Sequence, residues 1–394
     1  MLSEAQRAQI RATVPLLETG GEALTTHFYQ LMLREYPQVR PLFNQAHQAS
    51  GAQPRALADG VLTYARHIDR LEALGPLASR IVNKHVALQI QPEHYPIVGT
   101  CLLRAIREVL GPQVATDEVI DAWSAAYAQL AQLLIQAESA AYDAKAASPG
   151  GWRGGRAFRV ANKVRESAEI TSFHLAPVDG GAVADFQPGQ YIGLRLWVDG
   201  EEIRRTYSLS AAPNGRSYRI SVKREPGGKA SNYLHDAVAP GHELTVFPPS
   251  GEFVLRPSDK PLVLISAGVG ITPTLAMLES SLPKARPITF IHYARNAQVH
   301  AFADTLRTWT TQRPNLQVRT VYEHVDPTEA RQPDAVGRPT LEHLRQWLPA
   351  HGDAEVHFLG PKPFMACIKR MLHELGVPPA QCHYEFFGPA EALQ

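Results

Sequence analysis

Lys145-Ala146-Ala147-Ser148-Pro149-Gly150-Gly151-Trp152-Arg153-Gly154-Gly155-Arg156 is the stretch that decides how this chain is organised. Four glycines and a proline in twelve residues give it no face to bury and no regular hydrogen-bond pattern, which is the composition of a linker. The hydrophobic rhythm changes across it. Ahead of it, apolar residues recur every three or four positions; beyond it, they come in short alternating runs. A chain of 394 residues has room for two or three domains, and one boundary falls here.

Upstream, Ser3 and Gln6 have the spacing of a capping box before Ile10, Val14 and Leu17. Pro54 is suited to a first helical turn, and Leu57, Val61, Tyr64, Ala65 and Ile68 then mark one helix face. Leu77, Ile81, His85 and Leu88 repeat the pattern until Pro92. Ile97, Val98, Cys101, Leu102, Ile106 and Val109 form another stripe, and Val119 to Leu134 a long last one. The reading predicts an all-α domain over 1–143, of about six or seven helices, followed by a linker over 144–156.

Downstream, residues 157–257 carry short alternating runs at Phe158–Val164, Ile170–Leu175, Tyr191–Val198, Tyr218–Lys223 and Glu243–Phe247, punctuated by Gly and Pro. This spacing predicts a small antiparallel β-barrel. From 258 to 394 the order is strand, glycine loop, helix, strand: Pro261–Ser266, Ala267–Pro273, Pro287–Tyr293, Leu316–Tyr322, Val356–Leu359 and His383–Phe387, with helices near 299–312 and 364–375. That order predicts an open parallel α/β sheet. The fold class expected is therefore multidomain: all-α, then antiparallel β-barrel, then parallel α/β.

Composition narrows the function. Thirty-nine Lys and Arg stand against 38 Asp and Glu, a net charge of +1, with no basic block of the kind that neutralises nucleic-acid phosphates. The three cysteines, Cys101, Cys367 and Cys382, are far apart and form no CxxC pair, which argues against thiolate-held zinc or iron–sulfur. No signal-like segment opens the chain and no apolar run is long enough to span a bilayer. A cytoplasmic location is expected, without membrane span or nucleic-acid partner.

Five histidines lie in 1–143: His27, His47, His67, His85 and His94. His85 sits on the apolar face of its helix, where an imidazole either finds a hydrogen bond or binds a metal. Around it, Phe28-Tyr29, Leu42-Phe43-Asn44, Asn83-Lys84-His85 and Glu93-His94-Tyr95-Pro96-Ile97-Val98-Gly99 resemble, in order and register, the bacterial flavohaemoglobins. The resemblance implies a globin holding haem b, with His85 as the iron ligand and Phe43 packed on the haem. It implies Tyr29 and Gln53 as polar residues over bound oxygen, Leu57 as the apolar gate, and Lys84 near the haem edge. It also implies that Glu138 and Tyr95 hydrogen-bond the ligand imidazole, making it a stronger donor to iron.

The same resemblance extends over about residues 1–390. Arg205-Thr206-Tyr207-Ser208 is similar to the Arg-x-Tyr-Ser/Thr motif of the ferredoxin-reductase superfamily. Chemically, an arginine suits the FAD pyrophosphate, a tyrosine can lie on the flavin ring and a serine can reach its N5. Tyr191, in Gln187-Pro188-Gly189-Gln190-Tyr191, and Gly228 and Ser231, in Gly228-Lys229-Ala230-Ser231, are matched to FAD as well. At the C-terminus, Glu385, Phe386, Phe387, Gly388 and Pro389 are matched to the segment that covers the flavin, with Phe386 where the family often has Cys. Gly268-Val269-Gly270-Ile271-Thr272-Pro273 follows a strand and opens a helix, a setting in which backbone N–H groups bind phosphate; by resemblance it is the NAD(P)H loop. Gly360-Pro361-Lys362-Pro363-Phe364-Met365 matches the later element of that site, with Leu359 in place of Cys. The choice between NADH and NADPH falls to residues around His292–Asn296, where Arg295 is placed to attract a 2′-phosphate.

The activity implied is nitric oxide dioxygenation: electrons pass from NAD(P)H to FAD to haem, and NO and O2 become nitrate. A reductase of lipid hydroperoxides or other acceptors, and an oxygen-binding or sensing globin, are the alternatives. A monomer is expected, and a lipid bound in the distal haem pocket is left open.

Overall fold

The computed structural model of the protein describes residues 2–44, 48, 50–326, 328, 331–349 and 352–388. It divides into two compact units. One holds the residues up to Ala147 together with Asp199–Arg205 and Gly388; the other holds Ser148–Val198 and Thr206–Phe387.

The first unit is helical. Helix α1 spans Glu4–Glu35. Its N-terminus is closed by the expected capping box: Ser3 Oγ accepts from Gln6 N (3.2 Å) and Gln6 Oε1 from Ser3 N (2.9 Å). Ile10, Leu17, Leu24 and Leu31, one every two turns, are all buried, so a single stripe of α1 meets the core. Helix α2 (Ala52–Arg66) packs across it, and Thr25 Oγ1 donates to Pro54 O at 2.8 Å. Helices α3 (Gly75–Leu88), α4 (His94–Leu110) and α5 (Asp117–Ala147) complete the described α-helices of this unit. Phe28, Met32, Ile106 and Trp123 lie in the shared core. Helix α5 runs four residues beyond the expected end at 143, because Asp143-Ala144-Lys145-Ala146-Ala147 contains no breaker before Pro149.

After the helices comes a six-stranded antiparallel sheet built from β1 (Arg156–Arg165), β2 (Ile170–Pro177), β3 (Tyr191–Val198), β4 (Glu201–Ser208, of which Glu201–Arg205 group with the first unit), β5 (Tyr218–Lys223) and β6 (Glu243–Val246). The spatial order is β4-β3-β6-β1-β2-β5. A bridge between Leu209 and Ile220 joins the residue after β4 to β5 at the opposite end of that order, so the sheet curls towards closure, as expected of a small barrel. One helix, α6 (Lys229–Asp236), interrupts it. Strand β4 was not expected. Only Ile203 and Ser208 of Glu-Glu-Ile-Arg-Arg-Thr-Tyr-Ser are buried, so the apolar alternation that marks a strand is missing.

A parallel sheet follows, in the order β10-β9-β8-β7-β11-β12, from β7 (Leu262–Ala267), β8 (Ile288–Ala294), β9 (Leu316–Tyr322), β10 (Ala335–Val336), β11 (Glu355–Leu359) and β12 (Cys382–Tyr384). Every residue of β7 and β8 is buried, the mark of strands covered on both faces. Leu262 and Leu264 pack with α7 (Ile271–Ser281) and α8 (Ala303–Gln312). Val263 and Ile265 pack with α9 (Leu341–Trp347) and α10 (Lys362–Glu374). Successive side chains therefore feed opposite layers. The last strand ends at Tyr384, and Glu385–Phe387 is irregular. Among the described residues, no helix is long and apolar enough to cross a membrane.

Candidate functional site

The histidines of the helical unit separate by their partners. His27 Nε2 pairs with Glu108 at the surface (2.6 Å), His67 Nδ1 meets Thr63 O (2.9 Å), and His94 Nδ1 accepts from Gln91 N (2.9 Å). His47 lies outside the described residues. His85, on the last turn of α3, is different. Its Nδ1 lies 2.7 Å from Glu138 Oε1 and 3.3 Å from the Tyr95 hydroxyl, and Tyr95 donates to the same carboxylate oxygen at 2.6 Å. Glu138 is buried, with its side chain 3% exposed, while that of His85 is 32% exposed.

Three helices build this group: α3 supplies His85, α4 opens with Tyr95, and α5 carries Glu138. The Tyr127 hydroxyl donates to Tyr95 O (2.6 Å) and the Tyr142 hydroxyl to Ile90 O (2.7 Å), so α5 holds both α4 and the chain just after α3. A buried carboxylate facing an imidazole Nδ1 fixes the tautomer with the proton on that nitrogen and leaves Nε2 as the lone-pair donor. Nε2 has no hydrogen-bond partner among the described residues. Burial and the adjacent Glu138 push the Tyr95 phenol far up, so it stays a proton donor. This donor set fits a group that offers a metal one open coordination position.

Tyr29, on α1, is buried and its phenol is raised by desolvation; Gln53 hydrogen-bonds it. Its ring meets Phe43 edge-on, with centroids 5.6 Å apart. Phe43 and Leu57 are partly buried against the same core. Lys84 Nζ donates to Gly388 O at 2.6 Å, both residues belonging to the first unit. In the same unit, Arg204 Nη1 donates to Leu88 O (2.6 Å) and Nε to Glu202 Oε1 (2.6 Å). It thus places a cation at the C-terminal end of α3, where helix carbonyls favour positive charge. Nothing in the sequence singled Arg204 out.

The Arg205-Thr206-Tyr207-Ser208 motif lies at the end of β4. Arg205 and Tyr207 are two residues apart on the strand and so share one face. Thr206 between them is exposed, and Ser208 is buried. Arg205 Nη1 donates to Arg204 O at 2.7 Å. Tyr191 starts β3, and its phenol is raised by desolvation and then by the charges of Glu385 and Glu252; the C-terminal segment thus comes within electrostatic reach of Tyr191. Phe386 packs on the parallel-sheet core and meets Tyr384 edge-on at 6.0 Å, whereas Phe387 is 49% exposed. Pro389 lies outside the described residues. Gly228 precedes α6 with no side chain capping it, and helix starts favour phosphate groups. Ser231 Oγ closes that turn, accepting from Glu225 N (3.1 Å) and donating to Gly228 O (3.3 Å). An arginine, an uncapped helix start and a strand tyrosine fit an aromatic nucleotide with phosphates.

Residues 268–273 join β7 to α7. Gly268 has φ +54°, a left-handed conformation. Gly270 abuts the end of β11: a Cβ there would lie 2.7 Å from Leu359 C and 3.1 Å from Gly360 N. Val269 O accepts from Thr272 Oγ1 (3.0 Å), and Ile271, Thr272 and Pro273 are buried as α7 begins. Leu359 is fully buried in the core with Leu262, Leu264, Ile271 and Leu275. The loop lies at the C-terminal ends of parallel strands, where open α/β sheets bind ligands. Arg295, just after β8, forms an ion pair with Glu169 of the β1–β2 turn, a partner the sequence did not suggest.

Comparison with known proteins agrees with this partition. A globin profile matches residues 26–134, an oxidoreductase FAD-binding domain profile 157–255, and an oxidoreductase NAD-binding domain profile 264–370. The flavohemoprotein of Pseudomonas aeruginosa is 67% identical over 393 residues, and that of a Burkholderia species 64% over 396, each match covering 100% of both chains. The crystal structure of a Malassezia yamatoensis flavohemoglobin, with bound FAD and heme, superposes with a TM-score of 0.85 at 27% identity. That match covers 98% of this chain and 100% of the other. The FAD/NAD-binding domain of a nitric oxide dioxygenase from Vibrio cholerae is 39% identical, with a TM-score of 0.56, over 60% of this chain and 100% of its own. Full-length identity at this level, on a chain that orders its three regions in the same way, leaves one conclusion: the protein belongs to the flavohemoprotein family.

Proposed function

We propose that the protein is an NAD(P)H-dependent nitric oxide dioxygenase with haem b in residues 1–143, FAD in 157–257 and the nicotinamide coenzyme in 258–394, residues 144–156 serving as linker. Full-length identity to flavohemoproteins supports it, and the observation that carries it in this chain is the triad of His85, Glu138 and Tyr95. When bound, haem supplies an iron centre for oxygen chemistry, and FAD converts a two-electron donor into single-electron transfers.

The residues do the rest. His85 would hold the haem iron through Nε2, while Glu138 accepts from Nδ1 and so makes the imidazole a stronger donor to a metal. Tyr95 donates to the same carboxylate oxygen and keeps it aimed. A storage globin needs only a neutral proximal imidazole; a carboxylate behind it favours oxygen activation. Tyr29, kept protonated by burial, would offer an O–H to oxygen bound at haem, with Gln53 orienting it; Phe43 and Leu57 would shape the apolar surroundings, and Lys84 would serve near the haem edge. Arg205, Gly228 and Ser231 would bind the flavin diphosphate. Tyr191, Tyr207 and Ser208 would hold the ring beside Thr206, and Glu385, Phe386 and Phe387 would cover it. Residues Gly268 to Pro273 hold the coenzyme phosphates. We further propose a cytoplasmic monomer with no nucleic-acid partner.

The test is a steady-state assay. Purified protein given NADH, O2 and NO should convert NO to nitrate, and omitting any one of the three should stop nitrate formation. Steady NADH oxidation with no loss of NO would overturn the proposal.

A further inference from the structure

In a doubly wound sheet, the adenosine ribose lies beyond the end of the strand next to the one that feeds the glycine loop. Here β7 feeds the loop, β8 is its neighbour, and Arg295 is the first residue after Ala294, the last of β8. The arginine is on a fixed piece of backbone. Its carbonyl accepts from His324 N (2.9 Å), and the Asn296 side chain accepts from Gln298 N (3.1 Å) and Val299 N (3.2 Å).

Its guanidinium pairs with Glu169, which is 126 positions earlier in the chain. Glu169 is fixed as well. Ser167 Oγ accepts from Glu169 N (3.2 Å) and Ile170 N (3.1 Å), and Glu169 O accepts from Arg224 N (2.8 Å). Ala168 N donates to Gln298 O at 2.9 Å, which seats the whole turn on the loop that follows Arg295. The pair is open to solvent, with side-chain exposures of 57% for Arg295 and 31% for Glu169. An incoming ligand can reach the arginine, but only beside the carboxylate.

We propose that Glu169 is a specificity-determining residue: by occupying Arg295 it disfavours coenzymes bearing a 2′-phosphate and biases the site towards NADH. A phosphate monoester carries close to two negative charges; at this position it must displace the carboxylate and remain near it. A 2′-hydroxyl meets no such repulsion. The inference rests on the reading of residues 268–273 as the coenzyme phosphate loop.

The experiment compares the parent holoprotein with Glu169→Gln, Arg295→Leu and the double variant. Dissociation constants for adenosine 2′,5′-bisphosphate and for AMP are measured by calorimetry, and kcat/KM for NADPH and NADH in the steady state. Glu169→Gln should tighten the bisphosphate about three- to tenfold relative to AMP and move the NADPH/NADH ratio by a similar factor. Arg295→Leu alone, which leaves the Glu169 carboxylate without its counter-ion, should weaken the bisphosphate about three- to tenfold relative to AMP, and in the double variant both effects should largely cancel. An unchanged bisphosphate affinity in Glu169→Gln would overturn the proposal. So would a loss of more than about tenfold in Arg295→Leu, because the arginine would then be serving phosphate in the parent. If no variant binds either nucleotide or oxidises NADH, the loop reading has failed and the proposal falls with it; intact NADH oxidation with an unmoved ratio isolates the failure to Glu169.

Discussion

His85 is set apart by its company. On the sequence it was one of five histidines, set apart by an apolar helix face; in the fold, Glu138 and Tyr95 converge on its Nδ1. Glu138 could not be read from local pattern, because a lone glutamate at the end of an apolar stripe is usually solvated. It is buried because it ends on the same side of α5 as Ala131 and Leu134, which face α3 and α4. Resemblance supplied the pairing that periodicity could not. His85→Ala should abolish haem retention while leaving FAD bound at parent stoichiometry, read from the optical spectrum of the purified protein. A variant that keeps a full complement of haem with the parent spectrum would remove His85 from the ligand role.

At the scale of elements, strands with clean rhythm were legible and short polar ones were not. Strands β7, β8, β9 and β11 fall within a residue or two of their expected limits because each carries a run or an alternation of apolar residues bounded by turn residues. Strand β4 escaped since its burial is irregular, and β10 and α9 escaped since two and seven residues carry little periodic signal. The flavin motif was thus recognised without the strand that presents it. The loop between β7 and α7 shows what a motif alone does not convey: Gly270 is small because the end of β11 crosses it. Gly270→Ala should push the loop off that contact and lower kcat/KM for NADH by about tenfold or more, with FAD content unchanged; parent kinetics would show that the contact tolerates a methyl.

The same sheet carries a pH liability. His300 is buried beside His292, with ring centroids 4.8 Å apart, and its Nδ1 lies 2.9 Å from the Tyr322 hydroxyl. Desolvation, and then the Arg331 charge, press its pKa down to about 4, against a weaker opposing pull from Asp304. The unfolded chain takes up this proton near pH 6.5, so below that value the unfolded state binds a proton the folded state refuses. Stability contributed by the neutral ring is therefore intact above about pH 6.5, falls between about 6.5 and 4, and changes no further below. The loss from this group is about 3 kcal/mol. Urea unfolding across that range should show the decline, and His300→Gln should flatten it; an identical slope in the variant would remove His300 as a cause.

For the whole molecule, the fold class was open to the sequence because three regions speak in three rhythms, and a Gly-rich segment separates the first two. Its activity was not: spacing points to a haem pocket and a flavin reductase, and only family membership joins them to nitric oxide. The joining is therefore the central claim. It is tested most directly by adding NADH to the purified protein without oxygen, following flavin and haem absorbance, and then admitting oxygen and NO in turn. The account predicts that the flavin bleaches, the haem becomes ferrous, and NO is consumed as nitrate appears. A flavin that bleaches while the haem stays ferric, or an oxygenated protein that leaves NO untouched, would contradict it.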